Sequence, residues 1–158
     1  MSSYLEKVSE ATLPVVVLRD TVAFPSISTS IEITDRVSIA AAEAAAASGH
    51  KIFLVTLKRP CEGEPQTDCL CYIGTTAKIK NAIRTPDGNM QLTFVGLSRA
   101  SVVSYSADGD YISADLICKS LYLDDTDIKT EAYMREVLSV LDSVQQFLPH
   151  ISKEMFTS

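Results

Sequence analysis

An α+β fold is predicted, a curled β-sheet with one inserted helix followed by a helical C-terminal extension. Three observations carry the prediction: β-branched runs of period two recur between Pro14 and Cys118, one Ala-rich run interrupts them, and the apolar period becomes helical after Asp124. At 158 residues the chain has the size of one domain. A chain that long buries roughly two thirds of its unfolded surface without needing disulfides or metal.

Residues 1–12 read as a flexible leader, and Pro14 to Leu18 as a short buried strand rich in β-branched residues. Arg19-Asp20 breaks the apolar run, and the chain resumes through Phe24-Pro25. From there Ile27, Thr29, Ile31 and Ile33 alternate with Ser28, Ser30, Glu32 and Thr34, a strand with one wet face. Pro25 stands at the start of that strand, where a missing N–H costs least. The Ala-rich run DRVSIAAAEAAAASG is most stable locally as a helix, with Thr34 or Asp35 placed to cap it and Gly49 to end it. Lys51 to Lys58 is apolar on both alternating faces and reads as an internal strand.

After a polar loop with Pro60, Gly63 and Pro65, the residues Cys71, Ile73, Thr75, Ala77, Ile79 and Ile83 form the inner row of a long strand. Pro86-Asp87-Gly88-Asn89 is a reverse turn, and Met90, Leu92 and Phe94 repeat the inward alternation on the partner strand. Past Gly96 the apolar positions slip to Leu97 and then to the adjacent pair Val102 and Val103, which predicts a bulge where the sheet curls. Ala107-Asp108-Gly109-Asp110 turns into a strand lined by Ile112, Ala114, Leu116 and Cys118, completing a meander. Met134, Val137, Leu138, Leu141, Val144 and Leu148 then share one helical stripe, widened by Tyr133, Val140 and Phe147. Asp124, Asp125 and Asp127 favour its N-terminal dipole, and Pro149 stops it. ISKEMFTS starts a further helical pattern that is cut short, so the native chain is expected to continue. The expected domains are a β-rich one over 13–122 and the start of a helical one over 123–158.

Composition narrows the function. Fourteen Lys and Arg against twenty Asp and Glu leave a formal charge of -6, which on average repels phosphate backbones and anionic lipid heads. Nucleic acid and membrane are therefore not expected as partners. Lys78, Lys80 and Arg84 read as a solvated strand face. Glu6 and Glu10 interrupt the N-terminus where a signal peptide needs an apolar core, so a cytoplasmic protein is expected.

No catalytic set emerges. The glycines at 49, 63, 74, 88, 96 and 109 are too dispersed to cradle a phosphate. His50 and His150 follow predicted helices, with no Ser or Cys partner suggested by spacing. Cys61, Cys69 and Cys71 are close in sequence but lack the Cys-x-x-Cys spacing of a zinc knuckle, and with Cys118 they read as buried or loop thiols. Glu62, Glu64, Asp108 and Asp110 fall in turns or loops, where solvation or turn hydrogen bonds account for them. No catalytic, cofactor-binding or metal residue is assigned, and this chain is not expected to be an enzyme by itself.

The segment LPVVVLRDTVAFP, Leu13 to Pro25, resembles the start of the N-terminal substrate-recognition domain of Lon proteases, the ATP-dependent serine protease La family. Asp35-Arg36 with the helix, KIFLVTLK, the run Tyr72 to Ile79, Pro86-Asp87-Gly88 and the run Val95 to Ala100 follow in the family order, over about Leu13 to Ile117. Ser28, Thr29 and Ser30 depart from it, since the family usually has a second proline and larger apolar residues there.

The resemblance implies a PUA-like pseudo-barrel followed by a helical subdomain, within a usually hexameric cytoplasmic protease. It also implies that the ATPase, using ATP and Mg, and the Ser-Lys peptidase lie further along the parent chain. The expected task is capture of unfolded or damaged proteins, the alternative being a free-standing adaptor without protease activity. Phe24, Pro25 and Ile27 are the candidate substrate-binding residues, with packing inside the barrel as the other reading. Arg19 and Asp20 are expected to form a structural corner, and Arg99 to close the sheet onto backbone carbonyls.

Overall fold

The computed structural model describes residues 5–61, 63–122 and 128–145. In chain order its elements are β1 (Leu5–Leu18), β2 (Ser28–Ile33), α1 (Arg36–Ala47), β3 (Lys51–Thr56), β4 (Ile73–Arg84), β5 (Met90–Ser106), β6 (Ser113–Tyr122) and α2 (Ile128–Gln145). The chain divides into a β-rich unit, Glu6–Leu121, and a second unit that contains α2.

The strands form a mixed sheet in the order β2-β5-β4-β3-β1-β6, and β6 also pairs with β5. That second pairing rolls β1, β3, β4, β5 and β6 into a closed barrel. The N-terminal half of β5 carries β2 on the same edge that β6 occupies further along. β3 and β4 pair antiparallel, whereas β1 and β3 are parallel and joined through β2 and α1. The curled sheet with one inserted helix is thus as read from the sequence.

Both faces of the C-terminal end of β1 and of β3 are apolar because each separates two packed cores. Val16, Leu18, Ile52 and Leu54 join Ile39, Ala41, Ala42 and Ala45 of α1 in one core, with Ala77, Ile79, Leu92 and Phe94. Val15, Val17, Phe53 and Val55 face the other, with Leu70, Ala100, Ile112, Ala114 and Leu116. Gly74 permits this packing, since a Cβ there would lie 2.5 Å from the Phe53 ring.

β5 is one continuous strand, but its register against β4 slips: Thr76 faces Ser98 while Ala77 faces Gly96. Leu97 is therefore the extra residue of a bulge, at the glycine that the sequence marks. A second slip, opposite β6, falls between Val102 and Ser104, at the expected Val102-Val103 pair.

Residues 5–12, expected as a flexible leader, are strand in β1. They lack an apolar row; β1 neighbours β6 in the sheet, and the Thr12 hydroxyl donates to Asp115 Oδ1 of β6 at 2.7 Å. Ile27, expected on the inward row of the second strand, lies just ahead of β2. β2 itself pairs with β5 and not with β1, so the two strands flanking Arg19-Asp20 are not sheet neighbours.

Asp35 is the N-cap of α1, its Oδ1 accepting the Ser38 N–H at 2.8 Å. Glu64 supplies a further cap from the loop after β3, its carboxylate accepting the Arg36 and Val37 N–H groups at 3.3 Å each. At the other end Gly49, with φ 113°, lets the His50 N–H return to the Ala45 carbonyl at 2.8 Å. On α2 the apolar side chains Tyr133, Met134, Val137, Leu138 and Val140 are exposed, and Arg135 pairs with Glu131 one turn earlier. The carboxylates Asp124, Asp125 and Asp127, the stop at Pro149, His150 and the pattern ISKEMFTS lie outside the described residues. Among the described residues no helix is long and apolar enough to cross a membrane.

Candidate functional site

The connection from β1 to β2 runs through residues 19–27 and carries three large apolar side chains exposed to solvent. Val22, Phe24 and Ile27 are 53%, 51% and 52% exposed, and Leu97, on the β5 bulge, is 45% exposed. Phe24 belongs to neither core, so the barrel-packing reading does not describe its position. Pro25 is half-buried.

The corner is held from beneath. Ala23 is buried, and its carbonyl accepts the Thr75 hydroxyl at 2.8 Å. The Ser26 N–H donates to the Gly96 carbonyl and the Gly96 N–H donates to the Ile27 carbonyl, both at 3.0 Å. Ser26 adopts φ 64°, which turns the chain between those two bonds. Gly96 admits this approach because a Cβ there would collide with the Phe24 carbonyl oxygen and lie 2.9 Å from its carbonyl carbon. Arg99 places its guanidinium 5.5 Å from the Phe24 ring centroid, a cation–π contact where a bond to backbone carbonyls was expected.

Arg19 reaches across the fold, its Nη2 donating to the Gly63 carbonyl at 3.0 Å. Gly63 and Glu64 belong to one loop, so the end of β1 and the N-terminus of α1 are tied to the same segment. Asp20 is exposed beside it. The chemistry at the Phe24 corner is therefore that of a fixed apolar surface edged by arginine. It suits non-directional contact with apolar side chains, since an exposed apolar patch in a soluble protein commonly marks an interaction site.

Other positions singled out by sequence serve the scaffold. Arg84 bonds Glu43 of α1 at 2.9 Å and the Gly88 carbonyl at 3.0 Å, while Lys78 and Lys80 are exposed. Asp108 accepts the Ser106 hydroxyl, and His50 is an exposed residue of the turn after α1. Glu62 lies outside the described residues. Tyr105 donates its hydroxyl to the Cys71 carbonyl at 2.5 Å, and burial raises the phenol pKa above its ordinary value, aided by Cys71 and Tyr72. Cys61 and Cys69 approach to 2.9 Å between sulfurs, whereas the Cys71 sulfur faces the Thr56 hydroxyl. Among the described residues no group of three or more His, Cys, Asp or Glu is arranged to hold a metal ion.

Sequence reasoning picked out Phe24, Pro25 and Ile27 but missed Val22 and Leu97. The phase slip at Gly96 was the available signal for Leu97, because the extra residue of a bulge leaves the regular inward–outward alternation.

The family described as the ATP-dependent protease La (LON) substrate-binding domain matches residues 12–157. Lon protease 1 of Bacillus subtilis (strain 168) is 31% identical over 147 residues, covering 92% of this chain and 19% of that protein. Lon protease of Escherichia coli (strain K12) is 30% identical over 156 residues, covering 97% of this chain and 19% of that protein. The chain thus spans about a fifth of the length of these curated relatives. Among solved structures, the N-terminal domain of Mycobacterium avium complex Lon protease shares the fold with a TM-score of 0.58 at 22% identity, covering 88% of this chain and 70% of that one.

Proposed function

Because the chain belongs to the family of the ATP-dependent protease La (LON) substrate-binding domain, we propose that it captures unfolded or damaged proteins through the apolar corner at Val22, Phe24, Ile27 and Leu97. The observation carrying this reading is the pinned but exposed corner, roughly half of each large side chain standing in solvent above a backbone held by reciprocal hydrogen bonds. Folded proteins bury comparable side chains, so such a surface discriminates by whether a client exposes apolar groups. Pre-fixing the corner reduces the ordering cost of each contact.

In this reading the domain cuts nothing. The parent protein is a cytoplasmic ATP-dependent serine protease in which an ATPase using ATP and Mg and a Ser-Lys peptidase act on the captured chain. Six copies in a hexamer would present six weak sites to one tethered client, and that multiplicity raises overall binding without strengthening any site. The acidic surface, with Arg84 neutralised by Glu43, favours protein over nucleic acid as the partner.

The test compares binding of a destabilised protein and its folded parent by this chain, with Ile27→Asp and Phe24→Ser alongside. Selective capture of the destabilised form, weakened by both substitutions in a folded domain, is expected. Equal capture by the variants would remove the corner from substrate recognition.

A further inference from the structure

Cys61 and Cys69 form a thiol pair that the proposed capture function does not use. Their sulfurs lie 2.9 Å apart, with Cys61 half-buried and Cys69 buried. A disulfide bond is about 2.05 Å long, so closing the pair needs a movement of only about 0.9 Å. The chain has already brought them together: Leu57 pairs with Leu70, the Lys58 N–H donates to the Cys69 carbonyl at 2.7 Å, and the Cys69 N–H donates to the Gln66 carbonyl at 3.0 Å. The other sulfurs are placed differently. Cys71 faces Thr56 at the end of β3, and Cys118 lies in the barrel core.

We propose that Cys61 and Cys69 are a reversible oxidation site, forming an intrachain disulfide when the protein meets a peroxide. Cys61, the more accessible sulfur, attacks one peroxide oxygen as its thiolate. The O–O bond breaks, hydroxide leaves, and a sulfenic acid remains on Cys61. The Cys69 sulfur then attacks the Cys61 sulfur, the S–O bond breaks, and water leaves as the S–S bond forms. Two thiols lose two electrons and two protons, and the peroxide is reduced to two waters. The hydrogen bond with Cys61 and burial raise the Cys69 thiol pKa, which disfavours Cys69 as the first thiolate to meet the peroxide.

The disulfide would close a ring that contains Gly63 and Glu64. Those residues hold the Arg19 guanidinium and the first N–H groups of α1, so oxidation fixes the segment to which the end of β1 is tied. Oxidation therefore adjusts the support behind the β1–β2 connection without touching its apolar side chains.

The experiment treats the chain with hydrogen peroxide at low excess, blocks remaining thiols with an alkylating reagent, and maps peptides by mass spectrometry. The expected result is a cross-linked peptide pair joining Cys61 and Cys69, released by dithiothreitol. Cys71 and Cys118 should be alkylated as free thiols, and Cys61→Ser should abolish the cross-link while keeping the reduced chain's circular dichroism spectrum. Independent overoxidation of Cys61 without a cross-link, or a bond joining Cys69 to Cys71, would overturn the proposal.

Discussion

Gly96→Ala places a methyl group against the Phe24 carbonyl, and backbone rather than a movable side chain blocks it. The chain has two responses. It can keep the corner in place, with overpacking that costs about 1–3 kcal/mol. Or it can lift the corner, giving up the Ser26–Gly96 and Gly96–Ile27 bonds at about 1 kcal/mol each. The cheaper route, about 1–2 kcal/mol, decides, and the lower backbone entropy of Ala in the unfolded strand offsets about 0.5–1 kcal/mol, so the net loss is about 0–1.5 kcal/mol. Urea denaturation should show a lower midpoint with an unchanged slope, and hydrogen exchange at positions 26 and 96 should accelerate relative to the β3 amides. Gly109→Ala is the control, because a Cβ there would meet nothing within 4 Å and its φ lies outside the left-handed region. If Gly96→Ala matches Gly109→Ala in stability and both corner amides stay protected, the reasoning about the pinned corner fails.

Ser38→Ala removes the buried hydroxyl that accepts the Val17 N–H at 3.0 Å; the orphaned donor should cost about 1–3 kcal/mol by chemical denaturation, and an unchanged midpoint would contradict it. Asp115 accepts hydroxyls from Thr12 and Ser104, and these bonds hold its pKa below the ordinary carboxylate value. Its depressed folded pKa means that its stabilisation is complete above the unfolded value of about 3.9 and is lost as pH falls through the lower folded value. The stability gap between the native chain and Asp115→Asn should therefore stay constant from neutral pH down to about 4 and shrink below that, whereas closure near pH 6 would contradict the assignment. Arg99→Gln should loosen Phe24 by removing the cation–π contact, reducing client binding by about twofold to fivefold, as expected for about 0.5–1 kcal/mol at an exposed site.

Much of the sheet was legible because its causes are local. KIFLVTLK is apolar on alternate sides because β3 separates two cores, and both Gly96 and the Val102-Val103 pair break the alternation where β5 bulges. The caps of α1 were readable for the same reason, Asp35 and Gly49 acting within one turn of the helix ends. What escaped notice depends on partners distant in sequence. The first half of β1 has no apolar row, and only its pairing with β6 makes it a strand. Arg19 bonds Gly63, 44 residues away, and the meeting of Cys61 with Cys69 depends on how the loop closes at Leu57 and Leu70. At the corner, the sequence leaves Phe24 and Ile27 open to core or surface and favours the core for Phe24, because hydrophobicity alone does not reveal on which side of a tied loop a side chain emerges.

The account stands most directly on one titration, in which the isotopically labelled chain is mixed with a permanently unfolded polypeptide and its side-chain NMR signals are followed. Binding through the proposed surface predicts shifts concentrated at Val22, Phe24, Ile27 and Leu97, with the β3 core signals unmoved. Shifts confined to the apolar side chains of α2, such as Tyr133, Met134 and Val137, or no shifts at any client concentration, would contradict it.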